Sequence, residues 1–224
     1  MSRDSTDILI SSLARDLKPV RPVRPLRGEI LRVAAVGGAI TIAVVAGLGL
    51  RPGLAAVPGW TAFVAMAIGL AVFGLGSISA ALAFARPGLE GRGVALALGS
   101  GVSLLVCVGI AAFWLRAAPS TGDAVWGGAR ELPCVFFSIA LALPAAFFAT
   151  YLAASAAPIH SSWTCVLTGA GGTALGMVAA HLTCRTPGAW HTVLTHALAP
   201  AFGALLLVVP ITLMLRRWQL TAQS

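Results

Sequence analysis

The chain has 224 residues, of which 58% are hydrophobic and only 10% charged, with a mean hydropathy of +0.92. Soluble domains carry about 25% charged residues, so this balance excludes an ordinary water-soluble enzyme or binding module and places the chain in the integral membrane class. The net charge of +8 would invite a nucleic-acid reading in a soluble protein. Here the basic residues flank apolar runs, where they set topology, and no direct nucleic-acid contact is expected.

The polar N-terminus comes first. Asp4, Asp7 and Asp16 stand in it and no apolar core begins before about residue 30, which argues against a cleavable signal peptide and for a retained signal-anchor. Ser5 or Thr6 is placed to cap a helix opening with Asp7. Leu9, Ile10, Leu13, Ala14 and Leu17 then share one face at helical spacing, with Ser11, Ser12, Arg15, Asp16 and Lys18 on the other, and Pro19 ends the helix. At about three turns such a helix is marginal alone in water, so it folds against a partner or lies on the membrane surface. Pro19, Pro22 and Pro25 favour polyproline-II geometry, which lines Arg21, Arg24 and Arg27 along one edge. Those arginines face anionic lipid or acidic groups on a partner.

Six apolar runs follow, at about 30–50, 60–85, 93–115, 134–155, 163–184 and 192–215, each long enough for the roughly 20 residues of a bilayer crossing. Turn signals separate them, including Arg51-Pro52-Gly53, Arg86-Pro87-Gly88, the surroundings of Pro158, and Arg185-Thr186-Pro187-Gly188. With the N-terminus in the cytoplasm, the inner side holds the N-terminal arginines, Lys18, Arg86, Arg92, Arg216 and Arg217. The outer side holds only Arg51, Arg116, Arg130 and Arg185. The positive-inside rule therefore predicts a multi-pass protein of the bacterial inner membrane with both termini cytoplasmic. The expected fold is all-α: a cytoplasmic segment over 1–29, a bundle of six transmembrane helices over 30–215 and a cytoplasmic tail over 216–224.

No Lys, Arg, Asp or Glu falls at mid-depth in the spans, which weighs against an ion-coupled transporter. Small residues recur at helical spacing, as in Gly93, Ala97 and Gly101 or Gly172 and Gly176, and such spacing lets backbones approach closely.

The 4 cysteines include no CxxC pair, which argues against a zinc ribbon or thioredoxin-type motif. Cys134 and Cys184 are nearly equidistant from the Pro158 turn, so their depths differ by only ~3 Å at ~1.5 Å per residue. A disulfide between them requires close packing or frayed helix ends, because packed helix axes lie about 8–10 Å apart and bridged Cα atoms within about 7 Å. Arg185 beside Cys184 favours the reactive thiolate. His181 lies three residues before Cys184 on one helix face and His191 opens the next span, so Cys134, Cys184, His181 and His191 form a candidate soft-metal set. Redox and metal chemistry both fit these residues. Cys107 and Cys165 read as packed apolar side chains, His160 as an interfacial loop residue, and His196 as a packed helix contact.

The run Leu9-Ile10-x-x-Leu13-Ala14-x-Asp16-Leu17-Lys18-Pro19-Val20, with Arg21-Pro22 following, resembles the N-terminal signature of the NrsF family, membrane anti-sigma factors named as negative regulators of sigma F. The six spans, Cys134, Cys184 and the closing Arg216-Arg217-Trp218 extend the likeness over the chain. One departure stands out: Leu182 and Thr183 separate His181 from Cys184, where the family often has a His directly before the second cysteine. The resemblance implies a non-enzymatic sensor. Its N-terminal segment, through Leu9, Ile10, Leu13, Asp16, Leu17, Pro19, Arg21 and Arg24, would hold an extracytoplasmic-function sigma factor. The outer Cys134/Cys184 pair would respond to oxidative or heavy-metal stress, and no cofactor is expected beyond a transient heavy-metal ion at that pair. Two other classes compete. A membrane thiol oxidoreductase generally needs a vicinal cysteine pair, and a small-molecule exporter generally shows buried charge or internal repeats; the sequence has none of these.

Overall fold

The structure, a computed structural model, describes residues 3–15, 24–51, 60–117, 132–156, 158, 160–185 and 191–223. Its elements run α1 (Arg3–Arg15), α2 (Leu26–Leu48), α3 (Trp60–Phe84), α4 (Glu90–Ala117), α5 (Leu132–Ala154), α6 (Ser161–Thr183), a π-helical segment (His191–His196) and α7 (Ala197–Gln223). Helices α2 to α7 supply 6 stretches long and apolar enough to cross a membrane. The chain is a multi-pass membrane protein with an all-helical fold. The predicted spans are all present, with the last displaced to Ala197–Leu220 because the π-helical segment occupies its expected start. α1 opens at Arg3, ahead of the expected Ser5/Thr6 cap.

Successive spans alternate in direction. One end of the bundle carries Arg24, Glu29 and Arg86, and the other carries Cys134 and Cys184. We call them the Arg24 end and the cysteine end. Gly88 at φ +83° makes the tight turn from α3 to α4, a conformation that favours glycine.

α6 is the central helix. It packs against α2, α3, α5 and α7, and 78% of its apolar window is buried, against 11% for α2 and for α4. Glycine makes this centrality possible. A Cβ on Gly172 would lie 2.8 Å from that of Ala146, and one on Gly176 would collide with the Ser138 carbonyl. The expected Gly172/Gly176 spacing therefore seats the α5 backbone directly on α6. The Gly93–Gly101 row behaves differently: Gly93 lies against the Phe84 ring, but Gly101 faces open space. Val33, Ile78, Leu82, Ala142, Ala146, Leu152, Ile211 and Leu215 fill the main core.

Candidate functional site

The intimate α5–α6 contact has its consequence at the cysteine end. Cys134 lies in the first turn of α5, and Cys184 caps α6 with extended backbone (φ −64°, ψ 121°). Their sulfurs are 3.7 Å apart and no disulfide joins them. Cys184 Sγ also lies 3.3 Å from His191 Nε2. One ligand atom from each of Cys134, Cys184, His191 and His196 falls within 4.8 Å of all the others. Cys184, His191 and His196 are buried.

His191 and His196 come together through the π-helical segment. Five residues along an α-helix turn about 500°, which would leave the two side chains ~140° apart; the wider π turn, with its i→i+5 bonding, brings them near one face. Their rings are 5.1 Å apart. Pro200 explains the local widening: it has no N–H for the His196 carbonyl four residues earlier, so the α-helical ladder lapses there.

His181 takes a different place from the one its spacing suggests. Because α6 ends at Thr183, Cys184 leaves the helical register and His181 does not share its face. His181 is fully buried, with Nε2 3.0 Å from the Phe63 carbonyl and Nδ1 2.7 Å from His196 Nδ1. Its ring stacks on Phe63 at 4.2 Å. A carbonyl only accepts, so His181 Nε2–H donates to Phe63, and neutral His181 presents a bare Nδ1 that accepts from His196 Nδ1–H. That tautomer leaves a lone pair on His196 Nε2, which is buried without a hydrogen-bond partner among the described residues. A ring nitrogen freed in this way is what a metal ligand requires, and its orientation is fixed by the partner on the other nitrogen.

The arrangement suits two chemistries. Two thiolates on one tetrahedral ion at ~2.3 Å bonds stand ~3.75 Å apart, close to the 3.7 Å present here. Disulfide formation needs the sulfurs to close to about 2.05 Å. The hydrogen bond from Cys134, and after it that from His191, holds the Cys184 thiol below the ordinary cysteine range against the opposing effect of burial, which favours the reactive thiolate for either reaction.

At the Arg24 end a second buried polar group stands where the spans begin. Arg86, just past α3, pairs with Glu29 in the first turn of α2, and both side chains are buried. The same guanidinium donates through Nη1 to the Leu82 carbonyl at 2.9 Å and through Nη2 to the Arg24 carbonyl at 3.2 Å.

The remaining sequence candidates lie in the N-terminal segment. Leu9, Ile10 and Leu13 fall within α1, where Ile10 is exposed, as is Ile8. Asp16, Leu17, Pro19 and Arg21 lie outside the described residues. Arg24 is exposed, with its carbonyl held by Arg86. Cys165 is buried in the core, Cys107 packs against Gly69, and His160 occupies the N-cap position of α6 without a side-chain capping bond, its ring nearly perpendicular to that of Phe84.

The profile of a family described as negative regulator of sigma F matches residues 13–218. The chain belongs to that family. Comparison with curated proteins and with solved structures gives no match. The NrsF profile runs from the last turn of α1 to Trp218, so it takes in the cysteine end, the Glu29–Arg86 pair and the N-terminal motif from Leu13 onward. A regulator of sigma F has a sigma factor as its partner, and six spans place that regulator in a membrane.

His196, Glu29 and Arg86 were the residues missed from sequence. His196 carried one usable signal, its i+5 spacing from His191 followed by Pro200. Glu29 and Arg86 sit 57 positions apart at span ends, and no local pattern announces such a pair.

Proposed function

We propose that this NrsF protein is a non-enzymatic membrane anti-sigma factor. It sequesters an extracytoplasmic-function sigma factor through its N-terminal segment and releases it when Cys134 and Cys184 meet an oxidant or a thiophilic metal ion. Both termini lie in the cytoplasm of the inner membrane and the cysteine end faces outward, following the arginine asymmetry. Exposed Ile10, with Leu9, Leu13 and Leu17 at helical spacing, supplies the apolar contact; Arg21 and Arg24 meet acidic groups on the sigma factor.

The observation that carries the sensor reading is the 3.7 Å sulfur–sulfur separation beside two buried imidazoles. Oxidation by a peroxide breaks two S–H bonds and forms one S–S bond, with two electrons and two protons passing to the peroxide and giving water. A thiophilic cation instead displaces the thiol protons and takes Cys134, Cys184, His191 and His196 as ligands. Either event changes the distance between α5 and the end of α6, and release follows only from a lower sigma affinity in the altered state.

The test is co-expression of the full chain with the sigma factor encoded beside it, purification in detergent, and assay of co-elution, with a chain lacking residues 1–28 as control. Co-elution that disappears on deletion supports sequestration by the N-terminal segment. A well-folded full chain that elutes alone defeats the reading.

A further inference from the structure

α2 joins the N-terminal segment to the bundle, yet only Glu29, Val33 and Gly37 are buried along its 23 residues. Glu29 and Val33 lie in the half nearest Arg24 and Gly37 at the middle of the helix, so none lies in the far half. Its far half is held at the cysteine end by two polar ties. Gly49, at φ +78°, ends the helix and turns the chain so that the Arg51 N–H donates to the Leu182 carbonyl at 2.9 Å. Arg185 Nη2 in turn donates to the Leu48 carbonyl at 3.1 Å. Leu182 and Arg185 flank Cys184. The end of α2 is therefore fastened to the short stretch of chain that must move when Cys184 changes its bonding.

At the other end, Arg86 grips the Glu29 carboxylate and the Arg24 carbonyl together, beside buried Val33 and the contact of Gly37 with Leu175. A buried ion pair is weak evidence for stability, since desolvation offsets much of its attraction, but it fixes geometry. Arg86 Nε has no partner among the described residues, which adds to that desolvation cost.

We propose that α2 is a lever. Its load point is the pair of ties to the residues on either side of Cys184, its fulcrum is the Glu29–Arg86 pair, and its working end is the segment leaving at Arg24. This rests on the anti-sigma sensor reading and names the element that couples its two ends. A helix held at both ends and little embedded between them moves as a rigid body, a common form of switching transition. The sequence suggests Arg185 as a cation favouring the Cys184 thiolate, but its guanidinium is turned to the Leu48 carbonyl, so on this view it is a positioning residue that acts through α2.

The test uses the full chain in detergent with its sigma factor, and diamide or Cd²⁺ as the signal. Three quantities are read: sigma affinity without signal, loss of free thiols at Cys134 and Cys184, and sigma affinity with signal. In the wild type the signal lowers affinity on the order of 5–150-fold, the usual span of such couplings. In Arg185→Ala, with diamide or Cd²⁺ dosed to reach the same loss of free thiols as in the wild type, unsignalled affinity matches the wild type while the signal-induced drop falls to less than half its fold value. Arg51→Pro/Arg185→Ala, which removes both ties, abolishes the drop, and Arg185→Lys restores part of it. If both cut variants release the sigma factor as fully as the wild type, the lever is wrong and the sensor reading stands. A wild type that loses its thiols yet keeps its sigma factor overturns the sensor reading and the lever with it.

Discussion

The cysteine end and the Arg24 end are both polar groups buried at helix ends, but opposite chemistry builds them. At the cysteine end the groups are soft and exchangeable: two sulfurs, with Cys184 biased toward the thiolate, and a chain of imidazoles whose proton positions are dictated by the Phe63 carbonyl. Such groups can trade protons for a sulfur–sulfur bond or a cation without leaving a charge stranded in an apolar setting. At the Arg24 end the groups are a full anion and a full cation, locked to each other and to backbone carbonyls. Neither can be given up cheaply. On the proposed sensor reading, one end changes its bonding while the other keeps its own and serves as the pivot.

Mutations can break this contrast. Glu29→Gln strands the buried Arg86 charge and should destabilise the protein by about 3–5 kcal/mol; a thermal melt in detergent that matches the wild type would remove the Arg24 end's claim to rigidity. Leu13→Asp should weaken sigma binding by at least ~30-fold, as expected for a hot-spot side chain, and render the sigma regulon constitutive in a reporter strain. A silent reporter in that strain counts against the apolar face of α1 as the docking surface. His181→Ala removes the group that orients His196 and should weaken Cd²⁺ binding by about 10–100-fold, the usual penalty for losing the group behind a ligand. Titration of the purified protein decides it, and unchanged affinity would mean that His196 needs no such support. Cys134→Ser and Cys184→Ser should shift the melt by the least, within about 1 kcal/mol, since each exchanges one small polar group for another. Both should keep sequestration and lose induction. A melt more damaged by Cys184→Ser than by Glu29→Gln would invert the comparison.

How much of this was legible in the chain follows from the range of each interaction. The spans, the N-terminal helix and the Gly172/Gly176 approach were readable because hydropathy and helical spacing are local properties. Cys134 and Cys184 were readable as a pair because a hairpin of nearly equal arms sets equal depth. The histidines were harder. His181 and Cys184 look like neighbours on a continuous helix, but α6 stops at Thr183, and a single residue of extended backbone sends the two side chains apart. His196 looks like a packed core residue at α-helical spacing, and only the π turn ahead of Pro200 aligns it with His191.

By itself the sequence determined that this is a six-span membrane protein with a polar, sigma-regulator-like N-terminus and a matched pair of thiols, because composition, periodicity and short motifs act within a few turns of chain. The tertiary structure alone decided which histidines join the thiols and that Arg86 meets Glu29 and Arg24. It likewise decided that the far end of α2 is fastened to either side of Cys184. Cys184 and His191 stand only 7 positions apart, but the other contacts join residues tens to more than a hundred positions apart, and all of them form only where helix packing and helix ends place them.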